Sequence, residues 1–112
     1  MGYRAYVVKA GCVDEYTCGE YFNRLNCEVL ELFYDNDIQF EDDFRRGRTK
    51  WTIKDGELYK LIALLEKSPN EENECFVDSG RREYTNQELA DIFKEWVKQA
   101  DEENGLIYIH WD

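Results

Sequence analysis

A chain of 112 residues is one domain's worth, and 43% hydrophobic residues with a single Pro exclude a disordered polyelectrolyte. A formal net charge of −11 repels phosphate backbones and anionic lipid, so neither direct nucleic-acid binding nor membrane-surface binding is expected. Six Phe, eight Tyr and three Trp supply a core without staples, which leaves the four Cys unnecessary as a disulfide framework.

The opening MGYRAYVVKAG has no long apolar run and no small-residue cleavage site, so it does not read as a signal peptide. Met1-Gly2 lacks the Ser or Thr that a myristoylation signal needs, since Tyr6 stands in that place. The longest uninterrupted apolar run, Leu61-Ile62-Ala63-Leu64-Leu65, is far short of a membrane span. A cytoplasmic location with reduced cysteines is the expectation.

In chain order, Tyr3 to Lys9 is aromatic and β-branched and predicts a first strand. After a turn over 11–16, Thr17 to Glu20 offers T-x-x-E, the capping-box signature. Cys18, Tyr21, Phe22, Leu25, Val29, Leu32 and Phe33 then recur at helical spacing and predict an amphipathic helix ending near Asn36. A second strip of this helix, Cys27, Leu30 and Tyr34, points the other way and needs its own cover, either a later segment or a partner.

Trp51-Thr52-Ile53 predicts a short strand, and Asp55 a cap for a helix whose Leu58, Leu61, Ile62 and Leu65 form a stripe. Ala63 and Leu64 widen that stripe and predict a central helix; Ser68-Pro69-Asn70 ends it. Cys75-Phe76-Val77 predicts a strand and Ser79-Gly80 a turn. Thr85 to Glu88 repeats T-x-x-E ahead of Leu89, Ile92, Phe93, Trp96, Val97 and Ala100, and Leu106 to Trp111 predicts a closing strand after Asn104-Gly105. The resulting order β-α-β-α-β-α-β predicts one α/β (or α+β) domain over 1–112, with three amphipathic helices on a mixed sheet of about four strands, at least some of them parallel. The end strands mix apolar and polar positions, which leaves one sheet face wet.

Between the first two helical patterns lies DNDIQFEDDFRRGRTKW, with five acids (Asp35, Asp37, Glu41, Asp42, Asp43) ahead of four bases (Arg45, Arg46, Arg48, Lys50). The segment is almost neutral, so most of the chain's acidity lies elsewhere. Asp35, Asp37 and Gln39 imitate the start of an EF-hand loop, but Phe40 stands where the turn needs Gly and Arg46 where a bidentate Glu belongs, which excludes that site. Ile38, Phe40 and Phe44 are spaced by even numbers, as in a strand with one buried face. One reading is a hairpin whose acids and bases face each other and fix register. The other is an acidic surface, joined by Glu71, Glu72 and Glu74 or by Asp101, Glu102 and Glu103, that imitates phosphates and steers a basic protein, with Phe40 and Phe44 as anchors.

Other chemistry finds little support. Cys12, Cys18, Cys27 and Cys75 with His110 have no zinc spacing, and there is no C-x-x-C, no phosphate loop, no G-x-S-x-G and no H-E-x-x-H. Cys18 in a helix first turn suggests an activated thiolate, against the commoner buried thiol. Pairs such as Glu57 with Lys60 and Glu95 with Lys98 read as helix-surface ion pairs. No catalytic residue, metal or cofactor is therefore assigned. The leading expectation is a non-enzymatic inhibitor of a basic, nucleic-acid-handling protein, a nuclease or toxin, binding through Asp35, Asp37, Glu41, Asp42, Asp43, Phe40 and Phe44. Toxin-immunity proteins and phage-encoded inhibitors of defence nucleases share this compact acidic character. The rivals are a small metal-dependent or thiol enzyme using Cys18, Cys27, Cys75 or His110, and a domain that self-associates weakly through Cys27, Leu30 and Tyr34.

Overall fold

The computed structural model describes residues 4–8, 16–22, 24–45, 48–77 and 84–111. Nine elements follow one another: β1 (Ala5–Val8), β2 (Tyr16–Tyr21), α1 (Asn26–Asp35), β3 (Phe40–Arg45), β4 (Arg48–Lys54), α2 (Asp55–Leu65), α3 (Glu74–Val77), α4 (Asn86–Val97) and β5 (Leu106–Trp111). The strands form one five-stranded sheet in the order β2-β1-β5-β4-β3, and each described pairing is antiparallel. The expected class holds: helices packed on a small sheet around a single core. The pairing differs from the parallel component that helix–strand alternation suggested. The last strand returns between β1 and β4, and its direction opposes both.

Alternation along the strands decides what the core receives. Ala5 and Val7 of β1, Trp51 and Ile53 of β4, and Ile107, Ile109 and Trp111 of β5 point to one face, and all seven are buried. Val29, Leu32 and Phe33 of α1, Leu58, Leu61, Ile62 and Leu65 of α2, and Leu89, Ala90, Phe93 and Trp96 of α4 join the same cluster. On the opposite face Tyr6, His110 and Lys50 form one row and Val8, Tyr108 and Thr52 the next. His110 thus shares a face with Leu106 and Tyr108, as alternation requires. That face is mixed: Tyr108, Thr52 and Leu106 are half-buried, while Val8 and His110 are buried.

Two predicted elements come out otherwise, each for a local reason. Residues 17–21 are strand, not the start of a helix. Gly19 is a poor interior helix residue, and β1 offers this stretch a partner in the register Tyr6↔Gly19 and Val7↔Cys18. The helix begins only at Asn26, without a side-chain cap, after Phe22 (φ 53°) and Arg24 (φ 59°) turn the chain out of the sheet. Cys75-Phe76-Val77 is helical rather than extended, because Asn73 caps it: its Oδ1 accepts from the Cys75 amide at 3.0 Å and its carbonyl from the Phe76 amide at 3.0 Å. The α2 stripe is buried as expected, but Ala63 and Leu64 are exposed, so this helix contacts the core on one side only. The Thr85–Glu88 capping box is formed in both directions, with Thr85 Oγ1 accepting from the Glu88 amide and Glu88 Oε1 from the Thr85 amide. Cys12, Arg46 and the Ser79-Gly80 turn lie outside the described residues.

Phe22 is the hub of the aromatic core. Its ring centroid lies 5.9 Å from Phe76, 5.7 Å from Tyr84, 5.8 Å from Phe93 and 5.8 Å from Trp96. A bulky residue at positive φ is strained by roughly 1–2 kcal/mol, and burying a Phe side chain offsets that by about 1.5–3 kcal/mol. Replacing Phe22 with Ala keeps the strain and loses the burial. We expect Phe22→Ala to lose about 3–5 kcal/mol of unfolding free energy in urea titrations; a loss below about 1 kcal/mol contradicts the hub assignment. Gly105, at φ +70°, accepts the Asp55 amide on its carbonyl, and a Cβ there meets Asp55 Oδ1 at 2.9 Å. Gly105→Ala should cost about 1–2 kcal/mol by the same measurement; unchanged stability contradicts it.

Candidate functional site

The charge-sorted segment folds as the β3–β4 hairpin, in the register Phe40↔Ile53, Glu41↔Thr52, Asp42↔Trp51, Asp43↔Lys50, Phe44↔Thr49 and Arg45↔Arg48. β3 is an outer strand of the sheet. Because Trp51 and Ile53 face the core, their partners Asp42 and Phe40 lie on the helix side, with Phe44 on the same side further out. Glu41 and Asp43 lie on the opposite face. The hairpin therefore divides its acids between two sides. Only Asp43 stands opposite a base, Lys50.

The expected apolar alternation is met in part. Ile38 is buried and its amide donates to the Phe33 carbonyl at 2.9 Å. Phe40 is half-buried, 5.4 Å from Phe33 and 4.8 Å from Trp51 by ring centroid. Phe44, expected on a buried strand face, is instead 68% exposed.

The turn leading into β3 is held from α2. The Gln39 amide donates to Glu57 Oε1 at 2.7 Å, and Lys60 Nζ donates to the Asp37 carbonyl at 2.9 Å and to Glu57 at 3.3 Å. The Gln39 amide, aided by Lys60, holds the Glu57 carboxyl below its ordinary value. Lys60 thus meets the backbone of Asp37 and not its carboxylate. Among the described residues, no hydrogen bond or ion pair engages the carboxylates of Asp37, Glu41 or Asp42. All three are exposed. Asp43 does have an interaction of its own.

Asp35 belongs to a neighbouring group. Its Oδ2 accepts from the buried Cys75 thiol at 3.6 Å, and one ligand atom each of Glu31, Asp35 and Cys75 lies within 4.8 Å of the others. Glu74 also acts on this thiol. The contact of Cys75 with Asp35 spans forty residues, which no spacing rule could reveal, and it brings Glu74 of the Glu71–Glu74 cluster to the same cleft as Asp35. Asp101 closes a separate turn, receiving the Gly105 amide at 2.7 Å on its carbonyl. Burial, with the charges of Glu31 and Asp35, pushes the Cys75 thiol up to about 12. A thiol held protonated is a poor nucleophile and a reluctant metal ligand.

Of the second strip on α1, Cys27 is exposed, Leu30 is half-buried against the core, and Tyr34 is 67% exposed with its ring 6.2 Å from Phe40. β3 thus supplies part of the cover that Tyr34 requires. Among the described residues, two clefts adjoin the hairpin. A cleft of about 490 Å³ is lined by Gln39, Phe40, Glu41, Thr52, Lys54, Glu57 and Leu106. A notch of about 140 Å³ lies where α1 meets β3. No helix among the described residues is long and apolar enough to cross a membrane.

Compared with protein-family models, with curated proteins and with solved structures, the chain matches none.

The Cys75 thiol carries a pH prediction. Its folded value lies near 12 against an ordinary 9.0, so as pH rises past about 9 the unfolded chain releases this proton first and folding stability falls until the folded thiol also ionises. Urea unfolding between about pH 8 and pH 10.5 should show a shallower alkaline loss in Cys75→Ala than in the wild type. Identical slopes contradict the perturbed thiol.

Proposed function

We propose that this chain is a non-enzymatic cytoplasmic inhibitor whose acidic hairpin engages a basic, nucleic-acid-handling protein, in the manner of toxin-immunity proteins and phage-encoded inhibitors of defence nucleases. The observation that carries the reading is the exposed, unpaired state of the Asp37, Glu41 and Asp42 carboxylates on and beside an outer strand. Carboxylates consumed by their own arginines present little field to a partner. Unpaired ones keep their full charge and steer a basic surface to rapid encounter.

Alternation along β3 displays the charge on both sides of an outer strand: Glu41 and Asp43, two residues and roughly 7 Å apart, share one face, and Asp42 takes the other. The strand is held by the ladder to β4 and by the core beneath Phe40, so the charges are preorganised rather than ordered on binding. Phe44, mostly in water among these acids, gives a partner an apolar anchor.

The test is capture from the native host's lysate with wild type and with the double variant Asp42→Lys, Asp43→Lys. Wild type is expected to retain a basic protein whose cleavage or binding of nucleic acid it suppresses. Retention should fall at least tenfold in the double variant, and likewise at ~0.5 M salt, where screening confines a charge's reach to a few ångströms. A retained set indifferent to both changes overturns the proposal.

A further inference from the structure

The notch between the end of α1 and the start of β3 combines an aromatic wall with two free carboxylates. Tyr34 and the half-buried Phe40 supply the accessible rings, and Asp37 and Asp42 the charge. We propose that this notch receives an arginine side chain of the partner, an assignment that rests on the acidic-surface reading above and places its centre.

Size narrows the occupant first. At about 140 Å³ the notch is well below the ~300–1,000 Å³ of ordinary small-molecule sites, so it suits a single side chain. Chemistry narrows it further. A guanidinium is planar and weakly hydrated, stacks on aromatic rings, and presents a fork of N–H donors to carboxylates. Here rings and carboxylates line the same concavity. Neither Asp37 nor Asp42 spends its carboxylate on another described residue, and the nearby cation, Lys60, is committed to the Asp37 carbonyl and to Glu57.

The notch is also built in advance. The Asp37 and Ile38 amides donate back to the Tyr34 and Phe33 carbonyls at 3.3 and 2.9 Å, and Glu57 and Lys60 hold the following residues from α2. A site already in shape loses little ordering entropy when occupied. Tyr34 lies two-thirds in water at the lining, and Phe44 projects on the Asp42 side of β3, so apolar surface remains for the chain carrying the arginine to cover.

The test is a ¹H–¹⁵N NMR titration of the full chain with the blocked tripeptide acetyl-Gly-Arg-Gly-amide. Its citrulline counterpart keeps the shape and removes the charge. Saturable shifts are expected at the amides of Tyr34, Asp37, Phe40 and Asp42, with binding by the citrulline peptide weaker by about tenfold or more. Asp42→Asn should weaken the arginine peptide by a similar factor, as should Asp37→Asn, whose side chain tolerates the left-handed backbone (φ 59°) at that position. Asp43→Asn, on the other sheet face, should leave these shifts in place. Equal binding of the two peptides, or indifference to both Asn variants, overturns the proposal. Saturable shifts centred on Glu31, Asp35 and Glu74 overturn the notch but leave the acidic-surface reading standing. No salt-sensitive shift anywhere removes both.

Discussion

The burial of Trp51, Ile53, Ile107, Ile109 and Trp111 on one face of the sheet sets the register of its last three strands, and that register decides where each charge of the hairpin points. Slipping β3 by one residue against β4 would exchange the two faces, bringing Glu41 and Asp43 to the helix side and sending Phe40 away from Phe33 and Trp51. The ring contacts of Phe40 thus lock a pattern whose consequences are electrostatic. Asp42 faces the notch because Phe40 needs the core.

The same dependence on a few large side chains recurs at the other end of the molecule. Phe22, at positive φ, carries the chain from β2 towards α1 while its ring reaches α3, α4 and Tyr84. Short strands and a four-residue helix have little stability of their own. Their positions come from the aromatic cluster they share. The acidic surface can then bear self-repulsion, since burial and not charge pairing holds the fold.

Much of this was legible in sequence, and what was not has identifiable causes. Helix α4 and strand β5 were readable because periodicity, capping and turn signals agree there. The two T-x-x-E stretches show the limit of a local signature. At Thr85 it is followed by Asn-Gln-Glu-Leu and becomes a capping box. At Thr17 it encloses Gly19, and pairing with β1 wins. Cys75-Phe76-Val77 has strand composition, but Asn73 immediately before it offers a cap at close range. The alternation of Ile38, Phe40 and Phe44 located the hairpin correctly, yet could not show that Phe44 stays in water. The approach of Glu31 and Asp35 to Cys75 depends on α3 packing by α1, which a single sequence does not encode in any readable spacing.

The sorting of acids and bases in DNDIQFEDDFRRGRTKW now has a physical reading on both sides of the hairpin. An outer strand invites pairing by another chain, and consecutive carboxylates discourage a second copy of the same sequence from adding to it. That repulsion is selective: it weakens for a neutral strand and reverses for a basic one. Among the described residues, the register sets one acid of β3 opposite a base, Asp43 opposite Lys50. Surface pairs of this kind add only ~0–1 kcal/mol each. Stability therefore does not explain why so many charges are placed here.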